Sequence, residues 1–393
     1  MDNKLPQNFC ILPWTGLEVQ PNGTVKPCCM YKDTLKKENG QEYKIQRDEF
    51  KEIWDSEELS TIRRRFLSGT QPRGCHRCWM EEMSGKASKR VRDNAKYKHL
   101  INDEIIWKDS APRYLDLKLG NICNLKCRIC SPQYSSKWIA EQRKYDIIDK
   151  DVKFYERLDW PEKSQVFWSN VEELIPVLEH LDFTGGEPFM IKEHLDLLHK
   201  IIKQGHAHKI SIHYNTNGTQ LPKDALDNIF PHFKYVDVHF SIDGTGKQFE
   251  YQRHPAKWDQ VLKNLEVWKS YESEKLDLSI CHTVNIFNVF YLPEFINWVD
   301  EFGMKLYLNT LHEPKHYSIT ALSSFLKEVV KDRLLDYNYK GFDQVIQFME
   351  NSDNSNKLTE FKKHIYRMDL VRVESFDKTF PELSELMNII KIK

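Results

Sequence analysis

Three cysteines in the run CNLKCRIC, Cys123, Cys127 and Cys130, are spaced to offer three thiolates to one metal centre. Thiolate is the usual protein ligand of iron–sulfur clusters, and a [4Fe-4S] cluster takes four ligands, so this set would leave one iron open for chemistry. A zinc knuckle uses cysteines at similar spacings and is the rival reading of these residues alone. A second group, Cys10, Cys28, Cys75 and Cys78, lies in FCILPW, PNGTVKPCC and RGCHRCW and can supply four more thiolates. Spacing does not choose between structural zinc and a second cluster there, nor between Cys28 and its neighbour Cys29 as ligand.

The nine cysteines are an odd number, and eight of them, all but Cys281, fall in the first third of a 393-residue chain. The start, MDNKLPQNFC, has no apolar core of a secretion signal. Disulfides are therefore a poor explanation, and ligation in a reduced, oxygen-poor setting is the better one. No apolar stretch approaches the ~20 residues of a membrane span, so a cytoplasmic protein is expected. Formal net charge is −1, from 57 Lys and Arg against 58 Asp and Glu, which gives no basic excess for duplex nucleic acid or an anionic membrane.

The cysteines need elements to hold them. From about Arg113, short strand-like runs alternate with longer helical ones, the pattern of parallel βαβ units. Six strands are predicted: Tyr114–Leu119, Leu181–Thr184, Ile210–Asn215, Val236–Ile242, Leu276–Val284 and Met304–Thr310. Right-handed crossovers would curl them into a partial barrel. Alternation assigns Leu115, Leu117, Phe183, Ile212, Val238 and Ile280, with their like, to the outer face under the helices. Polar residues such as Asp116, Lys118, Asp182, His213, Asn215, Asp237, Ser241 and Cys281 then line the inside. A polar interior implies a cavity for a polar ligand, since dry burial of unpaired groups costs ~1–3 kcal/mol each. The cysteine loop leaves the carboxyl end of the first strand, where barrels of this kind place their sites.

The second strand runs into FTGGEP. Gly185 and Gly186 let a ligand approach the backbone there, and the Glu187 carboxylate can pair with a cationic amine. Further along stand NTNG at Asn215–Gly218, SIDG at Ser241–Gly244, then Arg253 and Asn285. Together with the cysteine loop, this order of motifs resembles the radical S-adenosylmethionine enzymes over about residues 113–320. The resemblance implies a [4Fe-4S] cluster on Cys123, Cys127 and Cys130 whose open iron binds S-adenosylmethionine. One electron then splits the sulfonium to a 5′-deoxyadenosyl radical that removes hydrogen from a substrate. It also implies that Gly185, Gly186 and Glu187 hold the methionine amine, with Asn215, Ser241, Arg253 and Asn285 as further cofactor-binding residues.

Pro-Trp after Cys10, a glycine five positions before Cys28 and the CxxC of Cys75 and Cys78 resemble the auxiliary-cluster modules called twitch or SPASM domains. That resemblance favours Cys28 over Cys29 and implies a second, auxiliary [4Fe-4S] cluster. Such modules usually follow the barrel, whereas these cysteines precede it. The expected architecture is α/β: an auxiliary-cluster module and helical linker over 1–111, a partial (β/α)6 TIM-like barrel over 112–320 and a helical extension over 321–393. The Lys- and Arg-rich stretch from Lys86 to Lys98 reads as a solvated helix face, and nothing in the extension reads as catalytic.

The activity expected from the resemblance is an oxidative modification, a dehydrogenation or cross-link, with the auxiliary cluster accepting the electron left on a small-molecule or peptide substrate. A low-potential donor such as flavodoxin or ferredoxin would supply electrons. The alternatives are an epimerase, in which Cys281 returns a hydrogen atom from inside the barrel, an RNA-modifying enzyme, and a zinc-stabilised binding protein without catalysis.

Overall fold

The computed structural model describes residues 5–83, 87–101, 111–145, 156–337 and 339–389. Eight strands form one sheet: β1 (Gly16–Val19), β2 (Val25–Lys26), β3 (Tyr114–Lys118), β4 (His180–Thr184), β5 (Ser211–Thr216), β6 (Tyr235–Ser241), β7 (Leu276–Val284) and β8 (Lys305–Thr310). Their order is β2-β1-β3-β4-β5-β6-β7-β8. β3 to β8 are the six predicted strands, each parallel to the next with helices between them, the partial barrel expected from the alternation. After β4 the run IKEHLDLLHKIIKQG forms a helix over Lys192–Lys203, and the chain turns at Gly205 with φ +77°.

The alternation holds in the burial. Leu115, Leu117, Leu181, Phe183, Ile212, Val236, Val238, Phe240, Leu278 and Ile280 are wholly buried. At ~1.5–3 kcal/mol per large apolar side chain, this outer face is the main stabilising surface of the sheet. The inner face carries its charges in register: Glu18 lies level with Asp116, then Asp182, His213, Asp237 and Asp277 across six strands. On β8 the polar positions Lys305, Tyr307 and Asn309 are exposed, so the sheet stays open on that edge.

A hairpin turns at Pro21–Gly23, with β1 and β2 antiparallel and Glu18 opposite Lys26. Asn22 Oδ1 accepts from the Thr24 amide at 3.0 Å and from its hydroxyl at 2.8 Å, and Gly23 takes φ +79° to close the turn. The sequence did not announce that β1 also pairs in parallel with β3. That pairing makes the cysteine-rich segment a continuation of the barrel wall.

A second apolar core joins the loop after β7 to the C-terminal helices, with Phe287, Phe361, Phe376 and Phe380 at its centre. Those helices include Ser324–Tyr337, Phe342–Glu350, Leu358–Arg372 and Pro381–Leu386, the last begun by proline.

Candidate active site

The cysteine loop begins where β3 ends. Gly120 turns the chain at φ +72°, and a Cβ there would lie 2.0 Å from the Leu158 carbonyl oxygen. Asn121 fastens the loop's base, donating to the carbonyls of Pro132 at 2.9 Å and Glu156 at 3.0 Å. Two backbone bonds dock its middle: Lys126 N–H to His254 O and Arg128 N–H to Gln252 O, both 2.8 Å. Trp138 Nε1 donates to the Cys127 carbonyl at 3.1 Å.

Arg128, one residue past Cys127, is buried to 1% exposure. Its guanidinium meets Asp369 at 2.6 Å and Glu374 at 2.5 Å, donates to Tyr251 O at 3.1 Å and lies 3.5 Å from the Tyr251 ring centroid. Glu374 also holds His254 Nδ1 at 2.6 Å. On the neighbouring side, Glu141 pairs with both Lys126 and Arg372. The extension expected to be passive therefore grips the cysteine loop through Asp369, Arg372 and Glu374.

Cys123, Cys127 and Cys130 are free thiols, the first two buried and the third half-buried. Donors converge on the sulfurs: Leu125 N–H reaches Cys123 Sγ at 3.4 Å, Asn217 Nδ2 reaches the same sulfur at 3.9 Å, and Arg253 Nη1 reaches Cys127 Sγ at 3.9 Å. Burial, with the neighbouring Cys127, pushes the Cys123 thiol up to about 12. Thiols buried this closely become thiolates only around a cation, and the N–H donors are poised for sulfur carrying charge. The donor set fits an iron–sulfur cluster.

The GGEP loop lies directly beneath. A Cβ on Gly186 would meet the Ile122 carbonyl oxygen at 2.1 Å, and Glu187 N–H donates to that carbonyl at 2.8 Å. Gly185 has φ +98°. The glycines thus let β4's exit pack against the cysteine loop.

Below the loop is a cavity of about 470 Å³ lined by Cys29, Lys89, Asp116, Lys118, His213 and Asn215 among others. Lys118 pairs with Glu18 and, at 3.2 Å, with Asp116. Burial raises the Asp116 carboxyl to about 6, with Lys118 opposing and Glu18 adding to the rise. Glu18 Oε2 is buried without a hydrogen-bond partner among the described residues. Although burial works against it, the Asp237 hydrogen bond at 2.8 Å holds His213 above its ordinary pKa.

Against this geometry, the model of the radical SAM superfamily matches residues 117–288 and that of the SPASM iron–sulfur cluster-binding domain matches 10–79. The chain carries a radical S-adenosylmethionine superfamily domain over residues 117–288. It carries a SPASM-type domain ahead of the barrel, and the superfamily's cofactors are a [4Fe-4S] cluster and S-adenosylmethionine, with auxiliary iron–sulfur binding from the SPASM domain. Among curated proteins it is similar to GTP 3′,8-cyclases. That of Haemophilus ducreyi is 24% identical over 154 residues, 39% of each chain, and that of Vibrio parahaemolyticus is 23% identical over 197 residues, 49% of this chain and 52% of the other. The chain thus spans about two fifths to one half of these relatives' length. Solved structures similar to it include native anSMEcpe with bound AdoMet, 20% identical at TM-score 0.41, covering 61% of this chain and 67% of that one. Streptococcus suis SuiB bound to precursor peptide SuiA is 16% identical at TM-score 0.36, covering 70% and 63%.

In this radical SAM chain the residues expected to meet the cofactor fall into three groups. Asn215 lines the cavity, with Nδ2 2.9 Å from His213 Nε2. Ser241 ends β6 on the inner face, level with Cys281, and Arg253 is held by Asp243 at 2.6 Å beside Cys127. Glu187 is differently employed from the expectation. Its carboxylate is 1% exposed and accepts from Thr216 Oγ1 and Asn217 N–H, both at 2.8 Å, tying β4 to β5. Burial pushes it up to about 7 against those bonds. Asn285 departs furthest: wholly buried, it donates to Thr283 O and Gln252 Oε1 and accepts from Phe287 N–H, so its amide is spent on the loop closing β7.

In the SPASM region, Cys10 and Cys78 are buried and Cys28 and Cys75 half-buried. Cys10 feels the charges of Cys75 and Cys78, and Cys28 those of Cys10 and Cys75, so the four thiols share one neighbourhood. Four clustered thiols, two buried and two half-buried, fit a thiophilic centre. Cys29 points elsewhere. Its surroundings are Lys89, Asp116, Glu18 and Lys118, and it lines the cavity. The basic stretch is also corrected. Its helix, Lys89–Lys96, turns Lys89 into the cavity, while Arg90 pairs with Glu82 at 2.5 Å and donates to the Phe9 carbonyl at 2.8 Å. Neither residue belongs to a solvated face.

Proposed function

We propose that this radical SAM enzyme oxidises its substrate, by dehydrogenation or cross-linking, with an auxiliary cluster taking up the electron that hydrogen abstraction leaves behind. Cys123, Cys127 and Cys130 would hold the cluster that binds S-adenosylmethionine, and Cys10, Cys28, Cys75 and Cys78 would hold the auxiliary one. When bound, the first cluster supplies the electron that cleaves S-adenosylmethionine to a 5′-deoxyadenosyl radical. Arg253, fixed by Asp243, presents its guanidinium to the methionine carboxylate. Asn215 and Ser241 offer hydrogen bonds to the ribose from the inner face of β5 and β6. His213, held by Asp237, is placed to take the proton released as the substrate is oxidised.

The observation that carries this reading is the pair Cys28 and Cys29. One sits among the auxiliary thiols and the next lines the central cavity, so the thiols that would hold the auxiliary centre adjoin the cavity wall. Contact that close suits an electron acceptor for a bound substrate. A cavity of about 470 Å³ takes a small molecule or one peptide side chain.

The test is iron counting after anaerobic reconstitution. Wild type should hold about eight irons and Cys28→Ala about four, while dithionite-driven deoxyadenosine formation persists in the variant. Unchanged iron in Cys28→Ala and Cys75→Ala would remove the auxiliary cluster from the account.

A further inference from the structure

Away from the barrel interior, three further metal-ligand side chains converge where the chain leaves the sheet. His316 lies in the turn Lys315–Tyr317 after β8, and Glu360 and His364 stand one turn apart on the helix Leu358–Arg372. That i,i+4 spacing puts both on one helix face. One ligand atom from each residue lies within 4.8 Å of those of the other two. His316 Nδ1 is 3.1 Å from Glu360 Oε1, and the two imidazole centroids are 4.3 Å apart.

Two features distinguish this group from a surface ion pair. His316 is only 8% exposed, and its Nδ1 is the nitrogen that faces Glu360. Glu360 gives its other oxygen, Oε2, to Lys357 at 2.9 Å, which leaves Oε1 facing the imidazoles. Imidazole with carboxylate is the donor set of zinc and its transition-metal neighbours, whereas magnesium and calcium call for oxygen alone.

We propose that His316, Glu360 and His364 bind one divalent transition-metal ion, with water completing its coordination. Ligands about 2.1 Å from a tetrahedral zinc ion stand roughly 3.4 Å apart. His316 and Glu360 already have that spacing, and His364 closes the set by a side-chain adjustment. The ion has a structural consequence. The same helix carries Asp369 and Arg372, which grip the cysteine loop through Arg128 and Glu141. An ion at its first turn pins that helix to the barrel exit, so the clamp on the cluster loop is anchored at both ends. No cysteine takes part, which keeps this centre chemically separate from the two thiolate sites.

The experiment uses the anaerobically reconstituted holoenzyme, equilibrated with zinc, desalted and analysed for zinc and iron together. Wild type should retain one more equivalent of zinc than His364→Ala or Glu360→Gln, with equal iron in all three. Zinc should also raise the melting temperature of wild type alone. Glu360→Gln is nearly isosteric and guards against a folding failure in His364→Ala. Equal zinc retention in wild type and both variants overturns the proposal, as does a wild type that retains no zinc beyond its iron–sulfur sites.

Discussion

Replacing Arg128 with methionine tests whether the C-terminal helices hold the cluster loop. The guanidinium is 1% exposed and satisfies two carboxylates, Asp369 and Glu374, together with the Tyr251 carbonyl. Methionine fills similar space, so the loss is electrostatic more than steric. Breaking a buried ion pair by deleting one partner costs about 3–5 kcal/mol, because the remaining charge stays buried. Here the carboxylates retain 17% and 18% side-chain exposure, and Glu374 keeps His254, which argues for the lower end. About 3 kcal/mol is a factor of roughly 10² in the opening equilibrium of the loop. Arg128→Met should therefore unfold at lower urea and lose iron to a chelator about a hundredfold faster than wild type when opening limits the loss. Arg128→Lys, able to reach one carboxylate but not to fork between two, should fall between them. If Arg128→Met matched wild type in both urea midpoint and iron release, the clamp would have no role in holding the loop.

Gly186→Ala should cost the cluster outright, since its Cβ would stand 2.1 Å from the Ile122 carbonyl oxygen; the check is iron per chain, expected to fall by about half. Asp116 titrates at about 6 in the folded chain against 3.8 for the ordinary carboxyl, so folding stability should fall as pH rises from about 4 to about 6 and then level off. Asp116→Asn removes that fall, so its urea midpoint should stay level between about pH 4 and 6 where that of wild type declines. Cys281 lies level with Ser241 and Tyr307 on the inner face, where an epimerase would need its hydrogen donor. Under the oxidative reading Cys281→Ala leaves product formation intact in deuterated buffer and the product carries no solvent deuterium; loss of product with continued deoxyadenosine formation would favour epimerisation.

The strands of the barrel were legible because period-two alternation survives in every one of them, from Leu115 and Leu117 on β3 to Leu306 and Leu308 on β8. The cavity was legible for the same reason, since the residues left over by the apolar set are the ones that line it. What could not be read was contact between distant segments. Arg128 finds Asp369 across 241 positions, and no local pattern marks either as a partner. β1 is only four residues long, and nothing in Gly16–Val19 announces parallel pairing with a strand about a hundred positions later. Lys89 was taken for surface because charge runs usually face water, yet Asp93 and Tyr114 receive it inside. Asn285 shows the opposite failure: its place in the motif order suggested a ligand contact, whereas a buried amide with three protein partners builds a loop.

The central claim is that Cys123, Cys127 and Cys130 hold the cluster at which S-adenosylmethionine is cleaved. The most direct measurement is deoxyadenosine formed from S-adenosylmethionine and dithionite by the anaerobically reconstituted protein, compared with Cys127→Ala at equal concentration. Wild type should form it and Cys127→Ala should form none, while Cys28→Ala continues to do so. Retained cleavage in Cys127→Ala would contradict the account.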